Sequence, residues 1–149
     1  MWSPVEQTSL AEAEVEYHKI KSLTADVRFP VVGKDKEYVV IWTTTPWTLP
    51  GNTALAVDGE AEYSLIEISS DDNSERLILA SELLEPNIRQ DYTVLKSFNG
   101  IDLIGLAYQS LYDPSSFGSE IRQFVQKDGA PATLEGVPSF IPKVVQADF

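Results

Sequence analysis

The side chains best placed to do chemistry cluster in one short stretch. Thr43, Thr44 and Thr45 stand in a row, and Thr48 and Asn52 follow close behind. Together they offer four hydroxyls and one carboxamide. Pro46 and Pro50 fix φ at two points and limit how far these groups can move. A rigid loop of this kind at a strand end can orient a small polar ligand and a water molecule. The competing account of any single threonine is local: Thr is a good strand residue and prolines end strands. For one threonine the two accounts weigh equally, whereas the whole decapeptide is far more specific. Trp42 and Trp47 bracket the threonines; core packing explains Trp42, and Trp47, between two prolines, can wall a pocket.

Other chemistry is sparse. The chain has no cysteine, which excludes a thiolate nucleophile, a disulfide framework and a Cys-ligated metal. Its one histidine, His18, cannot build a multi-His metal site, and its simplest reading is a solvent-facing residue at a strand end. Asp71-Asp72-Asn73 lacks the ordered spacing of a calcium loop and reads as a solvated turn. Glu12, Glu14 and Glu16 would line one solvated sheet face. No phosphate-binding loop, dinucleotide fingerprint or nucleophile elbow is present. No metal and no cofactor is expected.

The elements that must hold the loop are mostly strands. Unbroken alternation from Ala11 to Tyr17 predicts a strand despite its Ala/Glu composition. Further strands are predicted at Val27–Val32, Tyr38–Trp42, Thr53–Val57, Tyr63–Ile68, Leu77–Leu79, Thr93–Phe98, Leu103–Tyr108 and Pro142–Ala147. The proline in the first of these suggests an edge or a bulge. Residues 69–75 read as a polar connection, Ser81–Leu84 as a short helix before Pro86, and Ser119–Val125 as a short amphipathic helix. The pattern predicts a mostly β fold with a few short helices (α+β), as a barrel or sandwich.

The chain's 149 residues suit one domain with a real core, and 43% apolar against 23% charged residues is a globular balance. With 23 acidic against 11 basic residues the formal charge is −12, which repels a phosphate backbone. DNA binding is not expected, and an RNA end would need a local pocket with most of the grip supplied elsewhere. No apolar run is long enough to cross a membrane as a helix, and the first residues lack a signal-peptide pattern.

The stretch Trp42-Thr43-Thr44-Thr45-Pro46-Trp47-Thr48-Leu49-Pro50-Gly51-Asn52 resembles the Thr-rich peptide in the editing domain of isoleucyl-tRNA synthetases. The related valyl and leucyl enzymes usually carry an arginine after two threonines; Thr45 stands there in this chain, which points to the isoleucyl branch. Trp2-Ser3-Pro4 and Ala11–Tyr17 resemble the segment leading from that family's catalytic core into its editing insertion. Gly100–Tyr108 and Val144–Phe149 are weaker matches, and residues 109–141 look unusual for the family. The resemblance implies a single editing domain over 1–149, with 1–20 as connecting strands and 21–149 as a barrel-like body. The family's nucleotide-binding signatures are missing. So is its G-T-G-x-V-H-x-A-P-x-H-G-x-D-D segment, which supplies a histidine near the amino-acid side chain and an aspartate for its ammonium group. Asp148 lies upstream of that segment and is no substitute for its aspartate.

What the resemblance implies is hydrolysis of valine wrongly esterified to the tRNA for isoleucine, and of valyl-adenylate as a second substrate. One pocket cannot strongly reject a ligand smaller by a methylene, a limit for which isoleucine against valine is the standard example. A second pocket that excludes isoleucine removes the error. By the resemblance, Thr43, Thr44 and Thr45 hold the terminal adenosine and the aminoacyl ester. Thr48 and Asn52 position the ester or the attacking water, with Thr44, Thr48 and Asn52 carrying the catalytic weight. Trp42 and Trp47 shape the wall. The partners implied are the aminoacylated tRNA end and the rest of a synthetase, in the cytoplasm or, as the alternative, in mitochondria. Two rival readings are a module that binds the adenosine end without turnover and a structural unit whose incomplete sheet exposes an edge.

Overall fold

The computed structural model describes residues 2–12, 16, 18–70, 73–118, 120–125, 133–136 and 139–147. The strands, in chain order, are β1 (Trp2–Ser3), β2 (Thr8–Ser9), β3 (Ala25–Pro30), β4 (Glu37–Thr43), β5 (Ala54–Val57), β6 (Glu62–Ser70), β7 (Asn73–Ala80), β8 (Tyr92–Asn99), β9 (Arg122–Val125), β10 (Thr133–Gly136) and β11 (Lys143–Gln146). One short α-helix, α1 (Leu84–Asn87), and several 3-10 turns join them. The chain is mostly β with a few short helices, as its residue pattern predicts.

Strands β3, β4, β7, β6 and β8 form one sheet in that order, antiparallel except for the parallel β4–β7 pair. Runs such as Tyr38–Ile41 and Leu77–Leu79 are continuously apolar because this sheet is covered on both faces. Phe29, Val39 and Ile78 point to one core cluster, which also holds Val31, Leu55, Val57, Leu103, Tyr108 and Val144. Ile66, Ile68, Leu77 and Leu79 point to the other, where Leu84 of α1 covers them.

The first cluster is enclosed by a backbone path that leaves the sheet and returns to it. Beyond β3, Val31 bridges Tyr108, and the amide of Gln109 donates to the Pro30 carbonyl at 2.8 Å. On its other side the same segment meets β11: Val144 N–H donates to Leu106 O at 2.9 Å and Tyr108 N–H to Pro142 O at 3.1 Å. Strand β11 runs parallel to β5. The end of β8 returns to the turn after β5, with Gly100 N–H on Ala61 O and Ile101 N–H on Gly59 O. The result is a barrel-like wrap around the first cluster.

That last junction depends on the lack of a side chain. A Cβ on Gly100 would lie 1.9 Å from the Asp58 carbonyl oxygen and 2.9 Å from the Tyr63 ring. Backbone must shift to admit it, so Gly100→Ala is expected to destabilise the fold by about 1–3 kcal/mol, the range for overpacking. The check is a lower urea midpoint at an unchanged slope.

Several expected elements come out differently. Ala11, Glu12 and Glu16 lie in no strand; Ala13, Glu14, Val15 and Tyr17 are outside the described residues. The predicted strand at Leu103–Tyr108 is instead a 3-10 turn (Gly100–Leu103), a bend at Gly105 with φ 84°, and single bridges at Ala107 and Tyr108. A positive φ, which glycine adopts without strain, breaks the extended chain there. The predicted helix at Ser119–Val125 is β9, paired with β10; Ser119 is outside the described residues. A window that short fits both periods, and pairing with a distant strand decides between them.

The polar stretch 69–75 is mostly strand, because β6 and β7 stay paired out to Ser70 and Asn73. Backbone pairing satisfies the amides there whatever the side chains. Asp71 and Asp72 are outside the described residues. The predicted short helix at Ser81–Leu84 begins as a 3-10 turn (Ser81–Leu83) and continues as α1 through Pro86, where a first-turn proline removes no helical hydrogen bond. Pro30 closes β3 at the sheet edge, where a residue without an N–H is tolerated.

Candidate functional site

Strand β4 delivers the threonines. Thr43 is its last residue, opposite Ala25 of β3. The backbone then turns: Thr45 N–H donates to Thr43 Oγ1 at 3.1 Å, and the Thr43 and Thr45 hydroxyls lie 3.5 Å apart. Pro46 opens a 3-10 segment running to Gly51, a position where its missing N–H costs nothing. The Thr45 carbonyl closes the first turn, accepting from Thr48 N–H at 3.0 Å and from Thr48 Oγ1 at 2.8 Å. Asn52 closes the second, its N–H on Leu49 O at 3.0 Å.

Asn52 is tied most firmly. Its Nδ2 donates to Ala54 O at 3.0 Å, and its Oδ1 accepts from the Tyr108 hydroxyl at 2.6 Å. Tyr108 is wholly buried, its ring edge-on to Phe29 at 5.2 Å between centroids. Burial pushes its phenol up to about 12, outweighing the opposing hydrogen bond to Asn52.

Inside the curve of the loop lies a cavity of about 430 Å³, lined by Thr43, Thr48, Asn52 and Thr53 with Ile41, Leu49 and Ala56 among the apolar members. Among the described residues no lining side chain is ionisable. What the cavity offers is hydroxyl and amide hydrogen bonding beside a small apolar surface, suited to a polar ligand with a compact aliphatic part.

Of the seven residues singled out from the sequence, Thr43, Thr48 and Asn52 meet at this cavity. Thr44 and Thr45 are exposed beside it without lining it; the Thr44 side chain makes no hydrogen bond to another described residue. Trp47 is 70% exposed and does not line it either.

Trp42 corrects the core-packing expectation. It is 58% exposed: the pleat puts it on the face opposite Val39 and Ile41, where Tyr38 and Val40 pack against the second cluster and Trp42, at the end of the strand, does not. It borders a separate cavity of about 410 Å³ together with Asp26, Arg28 and Ile88. His18 is exposed and 3.4 Å from Glu16, as its solvent-facing reading predicts, though in no strand. Tyr108 was missed. Its only signal in the sequence is a phenol in an apolar stretch, which, once buried, needs a hydrogen-bond partner.

No protein-family model matches the chain. Curated proteins do. The chain is 45% identical to the isoleucine–tRNA ligase of Methanoculleus marisnigri over 113 residues, covering 73% of this chain and 11% of that protein. It is 44% identical to that of Petrotoga mobilis, over 70% of this chain and 11% of the relative. With that of Bartonella quintana the identity is 38%, over 95% of this chain and 16% of the relative. The chain spans between about a tenth and a sixth of the length of these relatives.

Proposed function

We propose, from the premise that this chain is a homologous segment of the isoleucine–tRNA ligase family, that it is the editing unit of such an enzyme. Its substrate is the tRNA for isoleucine carrying valine, with valyl-adenylate as a second substrate. Its chemistry is hydrolysis of the aminoacyl ester. Its partners are the aminoacylated tRNA end and the rest of the ligase, in the cytoplasm. Residues 1–20 serve as the connection and 21–149 as the editing body.

The observation that carries this reading is the convergence of Thr43, Thr48 and Asn52 on one uncharged cavity. An aminoacyl ester is already activated, so holding it and a water molecule in line supplies much of the acceleration without a protein nucleophile. Thr43, Thr44 and Thr45 hold the adenosine and the ester; the exposed Thr44 hydroxyl is open to a ligand from solvent. Thr48 and Asn52 orient the ester or the water. The apolar lining receives the small aliphatic side chain; Trp42 and Trp47, both exposed and outside that lining, are open to a ligand only where it extends beyond the cavity.

A second reading, binding without turnover, draws on the absence of an ionisable side chain among the described residues of that lining. Hydrolysis of valyl and isoleucyl esters, both on the isoleucine tRNA, separates the two. Selective release of valine by a full-length ligase carrying this segment is the expected result. A valyl-adenosine analogue that binds without any ester hydrolysis would favour the second reading, and equal release of both amino acids would defeat the first.

A further inference from the structure

We infer that Tyr108 is a positioning residue for the Thr-rich loop, fixing the Asn52 carboxamide so that it offers a donor to the cavity. The inference rests on the editing reading above. The Ala54 carbonyl can only accept, so the group facing it at 3.0 Å must be the Asn52 nitrogen. The oxygen therefore faces the Tyr108 hydroxyl, which must donate across the 2.6 Å contact. With its phenol pushed up to about 12, Tyr108 stays a donor throughout the pH range in which esters are assayed. The Asn52 oxygen is thus turned to a wholly buried partner, and one amide N–H is used by Ala54. That leaves one N–H, and one lone pair on an oxygen already held against the buried phenol; the N–H is the group assigned to the ligand. An N–H suits an ester carbonyl oxygen and the oxyanion that forms from it, and does not suit accepting a proton from water.

Tyr108 can hold this orientation because its own backbone is held from both sides. Its segment bonds on one side to Pro30, Val31 and Val32, at and just beyond the end of β3, and on the other to Pro142 and Val144, at the start of β11. The Phe29 ring packs edge-on against it. The loop end is tied to the most buried part of the barrel, 56 residues away in sequence.

Tyr108→Phe removes only the hydroxyl. In a full-length ligase carrying this segment it is expected to lower kcat for valyl-ester hydrolysis about tenfold, with KM changed by less than about twofold, the pattern of a transition-state contact. Asn52→Ala is expected to lose at least as much, and the double variant no more than Asn52→Ala alone. Melting of each variant accompanies the kinetics. The inference is overturned if Tyr108→Phe retains full activity while Asn52→Ala does not. It is also overturned if the two losses multiply, or if cooling restores the Phe variant in step with its folded fraction. If Asn52→Ala itself leaves hydrolysis intact, the editing reading falls first.

Discussion

A Thr44→Ala, Asn52→Ala double variant is expected to hydrolyse valyl-tRNA about 100-fold more slowly or worse, the scale on which single oxyanion donors act. The two residues differ in kind. Asn52 is half-buried, lines the cavity and is held at both amide atoms, so its loss removes a preorganised donor. Thr44 is exposed and its hydroxyl meets no other described residue, so it acts only if the ligand comes to it. The single variants therefore divide the effect: most of it with Asn52, and a KM change with Thr44. The measurement is the rate of valine release under single-turnover conditions. An unchanged rate in the double variant would remove the Thr-rich loop from the reaction.

Phe29→Ala is expected to cost about 3–5 kcal/mol of stability, the range for deleting a buried aromatic ring. Phe29 is fully buried, lies opposite Val39 in the β3–β4 pair and packs edge-on against Tyr108. A domain has only about 5–15 kcal/mol in all, so this one change takes a large share. It also removes the ring that steadies Tyr108, and so loosens Asn52. Urea unfolding checks the first effect; valine release at a temperature where the variant is folded checks the second. A loss below about 1 kcal/mol would contradict the packing described, since surface substitutions rarely exceed half that.

Much of the candidate site is legible in the sequence. The row Thr43-Thr44-Thr45 with two following prolines marked a rigid polar loop at a strand end, and the loop is there, built from the side-chain and backbone bonds of Thr43, Thr45 and Thr48. Those bonds span two or three residues, so local chemistry suffices to read them. The exposure of Trp42 is not legible because an aromatic ending a β-branched run looks buried, whereas the second cluster on its face reaches Tyr38 and Val40 and stops short of it.

Residues far apart in sequence were illegible. Nothing near Asn52 announces Tyr108. Nothing in Arg122–Val125 announces a partner at Thr133–Gly136. The parallel pairs β4–β7 and β5–β11 leave no local trace either, since parallel neighbours are never joined by a tight turn.

By itself, the sequence determined what short-range physics decides: most of the extended stretches, the proline-fixed turn after the threonines, which chemical groups the loop carries, and that the chain is acidic and cysteine-free. Only the tertiary structure decided which of those groups share a cavity, that Trp42 is left exposed, and that Asn52 is locked by a phenol 56 residues away. Turns and proline or glycine breaks follow from each residue and its neighbours, whereas strand pairing can override a local pattern, as at Arg122–Val125. The meeting of Tyr108 with Asn52 follows from closing a long loop around one apolar core, and that free energy belongs to the whole chain.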